Sequence, residues 1–257
     1  MKIILLAGGL GTRLSEETTI KPKPMVEVGG MPILWHIMKI YASYGFSDFS
    51  IALGYKGDVI KEFFLNYKLH KSDMIVNLSS GNVKFENDYS ENWNVGLHDT
   101  GSDSMTGGRL LNLKKLFNPG ELFMLTYGDG VADIDISKLV EFHKAHGKIA
   151  TLTAVRPPAR FGSIIMEDDG HILEFKEKPQ VGEGWINGGY FVFDYRVFDY
   201  LSNHQTILER EPLENLSKAN ELVAYRHDGF WHCMDTIRDR DNLNEIWAQG
   251  NAPWKKW

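Results

Sequence analysis

Gly8, Gly9 and Gly11 stand in the run Gly8-Gly9-Leu10-Gly11-Thr12-Arg13, directly after the largely apolar stretch Lys2 to Ala7. Glycine backbone approaches a ligand closely, and its amides can point at anionic oxygens. A nucleotide phosphate is the guest that suits such a loop. The spacing is neither the dinucleotide fingerprint, which needs Gly-x-Gly-x-x-Gly turning into a helix, nor the Walker loop, which ends in Gly-Lys-Ser/Thr. Two aspartates add a second kind of chemistry. Asp129 lies between Gly128 and Gly130, and Asp235 closes the aromatic-rich segment "GFWHCMD". Brought to one mouth, these carboxylates would suit magnesium, a hard cation that takes oxygen ligands and keeps waters and substrate phosphates in its shell. Each has a structural alternative: Asp129 as a turn residue, and Asp235 as the N-cap of a helix starting near Thr236.

The elements that must position these groups alternate between strand and helix. Lys2 to Ala7, Phe49 to Leu53 and Leu122 to Tyr127 have the short apolar pattern of buried strands. Met31 to Tyr44, Val59 to Tyr67 and Ile136 to His146 have helical spacing, and a helix is expected from Arg109 to Phe117. Ala150 to Val155, Gly162 to Met166, Ile172 to Phe175 and Tyr190 to Phe193 are expected as shorter, partly antiparallel strands. Strand, loop and helix repeated in this way predict an α/β fold: a single Rossmann-like domain with a mostly parallel mixed sheet flanked by helices and a smaller antiparallel portion in the C-terminal half. In such sheets ligands bind outside the carboxyl ends of the strands, where both Gly8–Arg13 and Asp129 fall.

Composition narrows the function classes. The 257 residues carry a formal charge of -6 with no block of like charges, so nucleic acid and membrane surfaces are not expected partners. No apolar run approaches the ~20 residues of a spanning helix, and no secretory segment is evident, so the chain reads as cytoplasmic. Cys233 is the only cysteine, which excludes an internal disulfide and a multi-cysteine metal cluster. It reads as a small buried hydrophobe. His143, His146, His227 and His232 lack the spacing of a zinc site and read as structural or surface residues. Trp247, Trp254 and Trp257 suit packing or a subunit contact.

"LAGGLGTRL", "KPKPM" and "GGMPILWHIM", followed in order by "YGDG", "FGSI", "EKP" and "MDT", resemble the signature of the sugar-1-phosphate nucleotidylyltransferases over nearly the whole chain. "DTGSDSMTGGRL", "FHKAHGK", "INGGYFV" and "APWKKW" look most like the branch that uses CTP and glucose 1-phosphate. The resemblance implies attack of a sugar 1-phosphate oxygen on the α-phosphorus of a nucleoside triphosphate, an early step of deoxysugar and O-antigen sugar biosynthesis, with Mg2+ as cofactor and a homo-oligomeric assembly. Uridylyl or thymidylyl transfer and a non-catalytic sugar-nucleotide sensor are the alternatives. A nicotinamide enzyme would want an acidic residue where Lys21 and Lys23 stand.

The resemblance also implies roles. The nucleotide part covers roughly residues 1–130, with Leu6, Ala7, Gly8, Gly9, Gly11, Thr12, Arg13, Lys23, Thr106, Gly107, Arg109 and Asp129 at the nucleotide. Arg13 and Lys23 are the catalytic cations, gripping phosphates whose charge grows as pyrophosphate departs. Lys21 reads as a solvated lysine. The sugar-phosphate part, roughly 131–240, offers Gly162, Glu177, Lys178, Asn187 and Gly188. Asp129 and Asp235 hold the metal, and the C-terminal helix and tail are candidates for subunit contacts. For Arg109 a physical argument adds to the likeness. Cytosine presents O2 and N3 as adjacent acceptors, whereas uracil carries a hydrogen on N3, so a guanidinium at that edge favours CTP. Gly107 and Gly108 would let the base lie close to backbone. The alternative is an Arg109 that begins a helix and points into solvent.

Overall fold

Ile3, Ile4 and Leu5 have no solvent exposure, a state a strand reaches only when helices cover both faces of its sheet. The computed structural model, which describes residues 1–11, 14–157, 163–167, 171–176 and 184–257, places Ile3–Leu6 inside a seven-stranded sheet. Its order is Leu222–His227, Ala150–Val155, Ile186–Asp194, Leu122–Tyr127, Ile3–Leu6, Asp48–Leu53 and Asn94–Asp99. All neighbours are parallel except Ile186–Asp194, which runs against both of its partners. Leu6 lies beside Ala52 and Tyr127, so Gly8, Gly54 and Gly128 leave the sheet at one edge. The antiparallel strand starts at that same edge, which brings Asn187 there. The expected mostly parallel mixed sheet is therefore present.

Alternate strand residues feed two cores, as the two-residue period of a strand requires. Ile3 and Leu5 join Tyr41, Phe49 and Tyr190 on one face. Ile4 joins Phe123, Leu125, Phe191 and Phe193 on the other. Helix Ile33–Ala42 buries Ile33, Leu34, Ile37, Met38, Ile40 and Tyr41 against the first core. Helix Ile136–His146 begins where the Asp135 carboxylate accepts the Lys138 amide, and ends on Gly147 at φ 64, a left-handed closure that glycine adopts without strain.

Sequence periodicity located most of the central sheet and its long covering helices, but it missed helix Glu211–Lys218, which buries Pro212, Leu213 and Leu216, and the short buried strand Gly130–Ala132. Leu122–Tyr127, Ala150–Val155 and Ile136–His146 have the expected bounds. The expected helix from Arg109 begins earlier, at Thr106–Asn112, and passes into a single tight turn over Lys114–Leu116. Edge strand Asn94–Asp99 and the projecting hairpin of Ser72–Val76 with Val83–Asp88 were not expected. Their side chains are mostly half-buried or exposed, so no inside–outside alternation marks them in the sequence.

The C-terminal tryptophans pack against their own chain. Trp254 is fully buried and its indole N–H donates to His36 Nδ1 at 3.4 Å, while His36 Nε2 donates to the Val28 carbonyl at 2.7 Å. Trp247 meets the same imidazole edge-on at 4.7 Å, and Trp257 meets Trp35 at 5.7 Å. Burial lowers the His36 pKa to about 4, and burial likewise lowers that of His143, again to about 4. The unfolded chain takes up these protons near pH 6.5, whereas the folded chain refuses them. Stability from neutral His36 is therefore complete above that pH and is lost as the pH falls toward 4. Thermal unfolding between pH 7 and pH 5 is expected to show a loss of about 2 kcal/mol from each histidine. His36→Gln should lower stability overall yet flatten that slope; an unchanged slope would contradict the assignment.

Candidate active site

Where Ile3–Leu6 and Leu122–Tyr127 end, a cavity of about 370 Å³ opens, lined among others by Gly8, Gly9, Gly11, Lys23, Arg109 and Asp129. Leu6, Ala7, Thr106 and Tyr127 also face it. Its size falls in the roughly 300–1,000 Å³ range of small-molecule sites.

The three glycines do three different things. A Cβ on Gly8 would overlap the Arg109 guanidinium at 2.3 Å. Gly11 has φ +64, in the left-handed region, and a Cβ there would stand 3.1 Å from the Lys23 Cβ. Gly9 has open space around it, so only there does the missing side chain leave room facing the cavity. Gly8→Ala is accordingly expected to destabilise the fold by about 1–3 kcal/mol through overpacking. Gly9→Ala should leave the melting temperature nearly unchanged. Unfolding curves for the two variants check this, and equal losses would contradict it.

Arg109 lies in helix Thr106–Asn112 and is 4% exposed. Its Nη1 donates to the carbonyls of Leu53 and Gly101 and to Thr100 Oγ1, at 2.8–2.9 Å. Its Nη2 donates to the carbonyls of Gly8 at 2.9 Å and Ser102 at 3.3 Å. Arg109 thus ties the glycine loop to the ends of two other strands, Asp48–Leu53 and Asn94–Asp99, instead of pointing into solvent. Both terminal nitrogens are spent on protein oxygens, which leaves Nε as the guanidinium nitrogen without a protein acceptor among the described residues. Gly107 and Gly108 correct an expectation. Their absent side chains admit the segment after Asn203, not a base: a Cβ on Gly107 would meet the Thr206 carbonyl at 2.9 Å, and one on Gly108 the His204 carbonyl at 2.1 Å.

Lys23 sits on the short turn Lys23–Met25 with its side chain only 10% exposed. Its ammonium donates to Asp129 Oδ2 at 2.5 Å and to Asp235 Oδ1 at 2.6 Å. Burial pulls its pKa down, but the charges of Asp129 and then Cys233, with the hydrogen bonds the ammonium donates to both carboxylates, outweigh that, holding the amine above its usual range and charged. The two aspartates meet because strand Trp231–Cys233 pairs with Gly130–Ala132, Cys233 opposite Gly130, and the Met234 amide donates to the Asp129 carbonyl at 2.8 Å. Asp235 is not the N-cap. Thr236 caps helix Ile237–Ala248 in a reciprocal box with Asp239, leaving the Asp235 carboxylate for Lys23. Cys233, expected to be a buried hydrophobe, is half-buried, and its Sγ lies within 4.8 Å of oxygens of both aspartates. Lys21 pairs at the surface with Glu27 at 3.1 Å, as a solvated lysine would.

Thr106, Tyr127 and Glu209 make another part of the cavity wall polar. Asn187 Nδ2 donates to the Tyr127 hydroxyl at 3.0 Å, which donates to Glu209 Oε1 at 2.6 Å. Burial, then the Glu209 charge, raises the Tyr127 pKa well above its usual value and keeps that proton in place. Thr106 Oγ1 donates to Glu209 Oε2 at 2.6 Å and accepts the Leu208 amide at 2.9 Å. Gly188 belongs to the sheet, where a Cβ would meet Val155 at 2.7 Å, and its carbonyl accepts the Trp231 indole N–H. Glu209 was missed because no spacing in the sequence ties it to Tyr127 or Thr106. Thr12, Arg13, Gly162, Glu177 and Lys178 lie outside the described residues. His143 and His146 share the Thr151 hydroxyl, and His232 contacts Asn242, as structural histidines do.

The nucleotidyl transferase sequence pattern matches residues 2–238. The chain belongs to that family. It is 53% identical over 257 residues to the glucose-1-phosphate cytidylyltransferase of Salmonella typhi, covering 100% of both chains. The glucose-1-phosphate cytidylyltransferase of Salmonella typhimurium is likewise 53% identical with full coverage of both. HddC from Yersinia pseudotuberculosis, solved as a complex with GMP-PN, shares the fold with a TM-score of 0.69 and 23% identity, over 96% of this chain and 99% of that one. No helix among the described residues is long and apolar enough to cross a membrane.

Proposed function

We propose that this nucleotidyl transferase moves a cytidylyl group from CTP to glucose 1-phosphate, releasing pyrophosphate and CDP-glucose. The observation that carries the reading is the Lys23 ammonium held between Asp129 and Asp235 beside the glycine loop; the 53% identity to the Salmonella enzymes supports the choice of substrates.

The amides of the glycine loop and the Lys23 ammonium bind the triphosphate, and Lys23 neutralises charge that grows as pyrophosphate leaves. Asp129 and Asp235 fit a divalent cation, because their facing oxygens already hold one positive charge between them; magnesium would be kept there and would supply charge neutralisation at the phosphate oxygens when bound. Arg13 and Lys178 serve the phosphates in the same reading, and Thr12, Gly162 and Glu177 border the nucleotide and the sugar. Asn187, fixed by Tyr127, faces the sugar hydroxyls. Arg109 Nε–H donates to the acceptor edge of cytosine. A homo-oligomer belongs to the same reading: the hairpin leaves Met74, Val76, Val83 and Phe85 exposed on one side, an apolar face that a second copy would cover.

Pyrophosphate release tests the reading, assayed with magnesium, each of the four nucleoside triphosphates in turn and several sugar 1-phosphates. The expected outcome is fastest release with CTP and glucose 1-phosphate. Preference for UTP or dTTP would overturn the cytidylyl assignment, and no release with any pair would overturn the enzyme.

A further inference from the structure

Glu209 is a carboxylate on the wall of a cavity otherwise suited to a polyanion, and nothing in the triphosphate chemistry calls for it. Its surroundings define what it can still bind. The Thr106 hydroxyl accepts the Leu208 amide and gives its hydrogen to Glu209. The Tyr127 hydroxyl accepts from Asn187 and gives its hydrogen to Glu209 as well. Each carboxylate oxygen therefore has one protein donor and one lone pair left over. Both hydroxyl hydrogens are committed, so this stretch of wall presents acceptors alone. A substrate group placed against it must be a hydrogen-bond donor; a carbonyl oxygen there would face a negative charge with no hydrogen between them.

From these contacts, and resting on the assignment of CTP above, we propose that Glu209 reads the exocyclic amine of cytosine. Thr106 and Arg109 share one helix, one turn apart, so an acceptor anchored at Thr106 and a donor at Arg109 stand on the same wall. Cytosine offers the matching edge, an N4 amine beside the N3 and O2 acceptors. Uracil and thymine offer O4 where the amine would be and a hydrogen on N3, so both contacts fail at once. Glutamate accepting from cytosine N4 is the pairing that the donor geometry of this base favours, as in major-groove readout of DNA. Glu209 is exposed, but its hydrogen bonds from Thr106 and Tyr127 hold the carboxylate in place on the wall.

Glu209→Gln tests this, because it keeps the size and one acceptor while replacing the other oxygen by a donor. Binding of CTP, UTP and 2′-deoxy-CTP would be measured by calorimetry with magnesium, in parent and variant, after thermal unfolding has verified that the variant is folded; Glu209→Asp serves as a second variant if it is not. The expected result is CTP binding weakened about tenfold or more with UTP binding unchanged or improved, since an unmatched polar contact costs about 1–3 kcal/mol. Equal losses for CTP and UTP, or no change in either, would overturn the proposal. A loss confined to discrimination between CTP and its 2′-deoxy form would overturn it too, assigning Glu209 to the ribose hydroxyl. Should the parent bind CTP selectively yet release no pyrophosphate with glucose 1-phosphate, the proposed reaction fails while the reading of Glu209 stands.

Discussion

Asp129→Asn and Asp235→Asn are each expected to lower turnover by about 10²- to 10³-fold, or about 3–4 kcal/mol of transition-state stabilisation. The fold should survive either change. Each substitution removes one carboxylate charge from the pair that grips Lys23 and leaves the other in place. The strand pairing that brings Asp129 and Asp235 together runs through backbone groups of Gly130, Cys233 and Met234, which neither change touches. The loss should therefore appear in turnover and in divalent-cation binding, with the melting temperature little affected. A correctly folded variant that turned over like the parent would remove that aspartate from the metal site.

The second large effect is expected at Lys23. Removing its ammonium in Lys23→Ala should lower turnover by about 10²- to 10³-fold, the magnitude usual for losing one preorganised charge partner of a transition state. The half-saturating nucleotide concentration should change much less, because the phosphates carry more charge in the transition state than in the bound substrate. A second readout separates this from structural damage. In the resting protein the ammonium occupies the space between the two carboxylates, so its removal should let manganese bind more tightly in the absence of nucleotide, measured by calorimetry. A variant that only raised the half-saturating nucleotide concentration, with turnover and cation binding unchanged, would contradict the role.

The two predictions rest on groups with different legibility in the sequence. Asp129 and Asp235 were singled out by residue type and position and Lys23 by family likeness, and the structure brings both carboxylates within hydrogen-bond reach of Lys23. Strands with two buried faces, such as Ile3–Leu6 and Leu122–Tyr127, announce themselves as short apolar runs; the exposed hairpin and the edge strand Asn94–Asp99 carry no such pattern. Arg109 shows where local reasoning stops. Its neighbours Gly107 and Gly108 suggested room for a base, but they serve the approach of residues 204–208, a segment distant in sequence. Glu209 directly follows that segment, and only the folded chain places it against Thr106 and Tyr127. Cys233 was legible as a lone thiol, and its position beside two carboxylates follows from a strand pairing across a hundred-odd residues of sequence, Cys233 opposite Gly130.

The most direct measurement follows the phosphorus itself. CTP labelled at the α-phosphorus would be incubated with the protein, glucose 1-phosphate and magnesium, and the products separated. The proposed reaction places the label in CDP-glucose, with one unlabelled pyrophosphate released for each molecule formed. Label that remained in CTP, or that appeared in CMP with no sugar nucleotide, would contradict it.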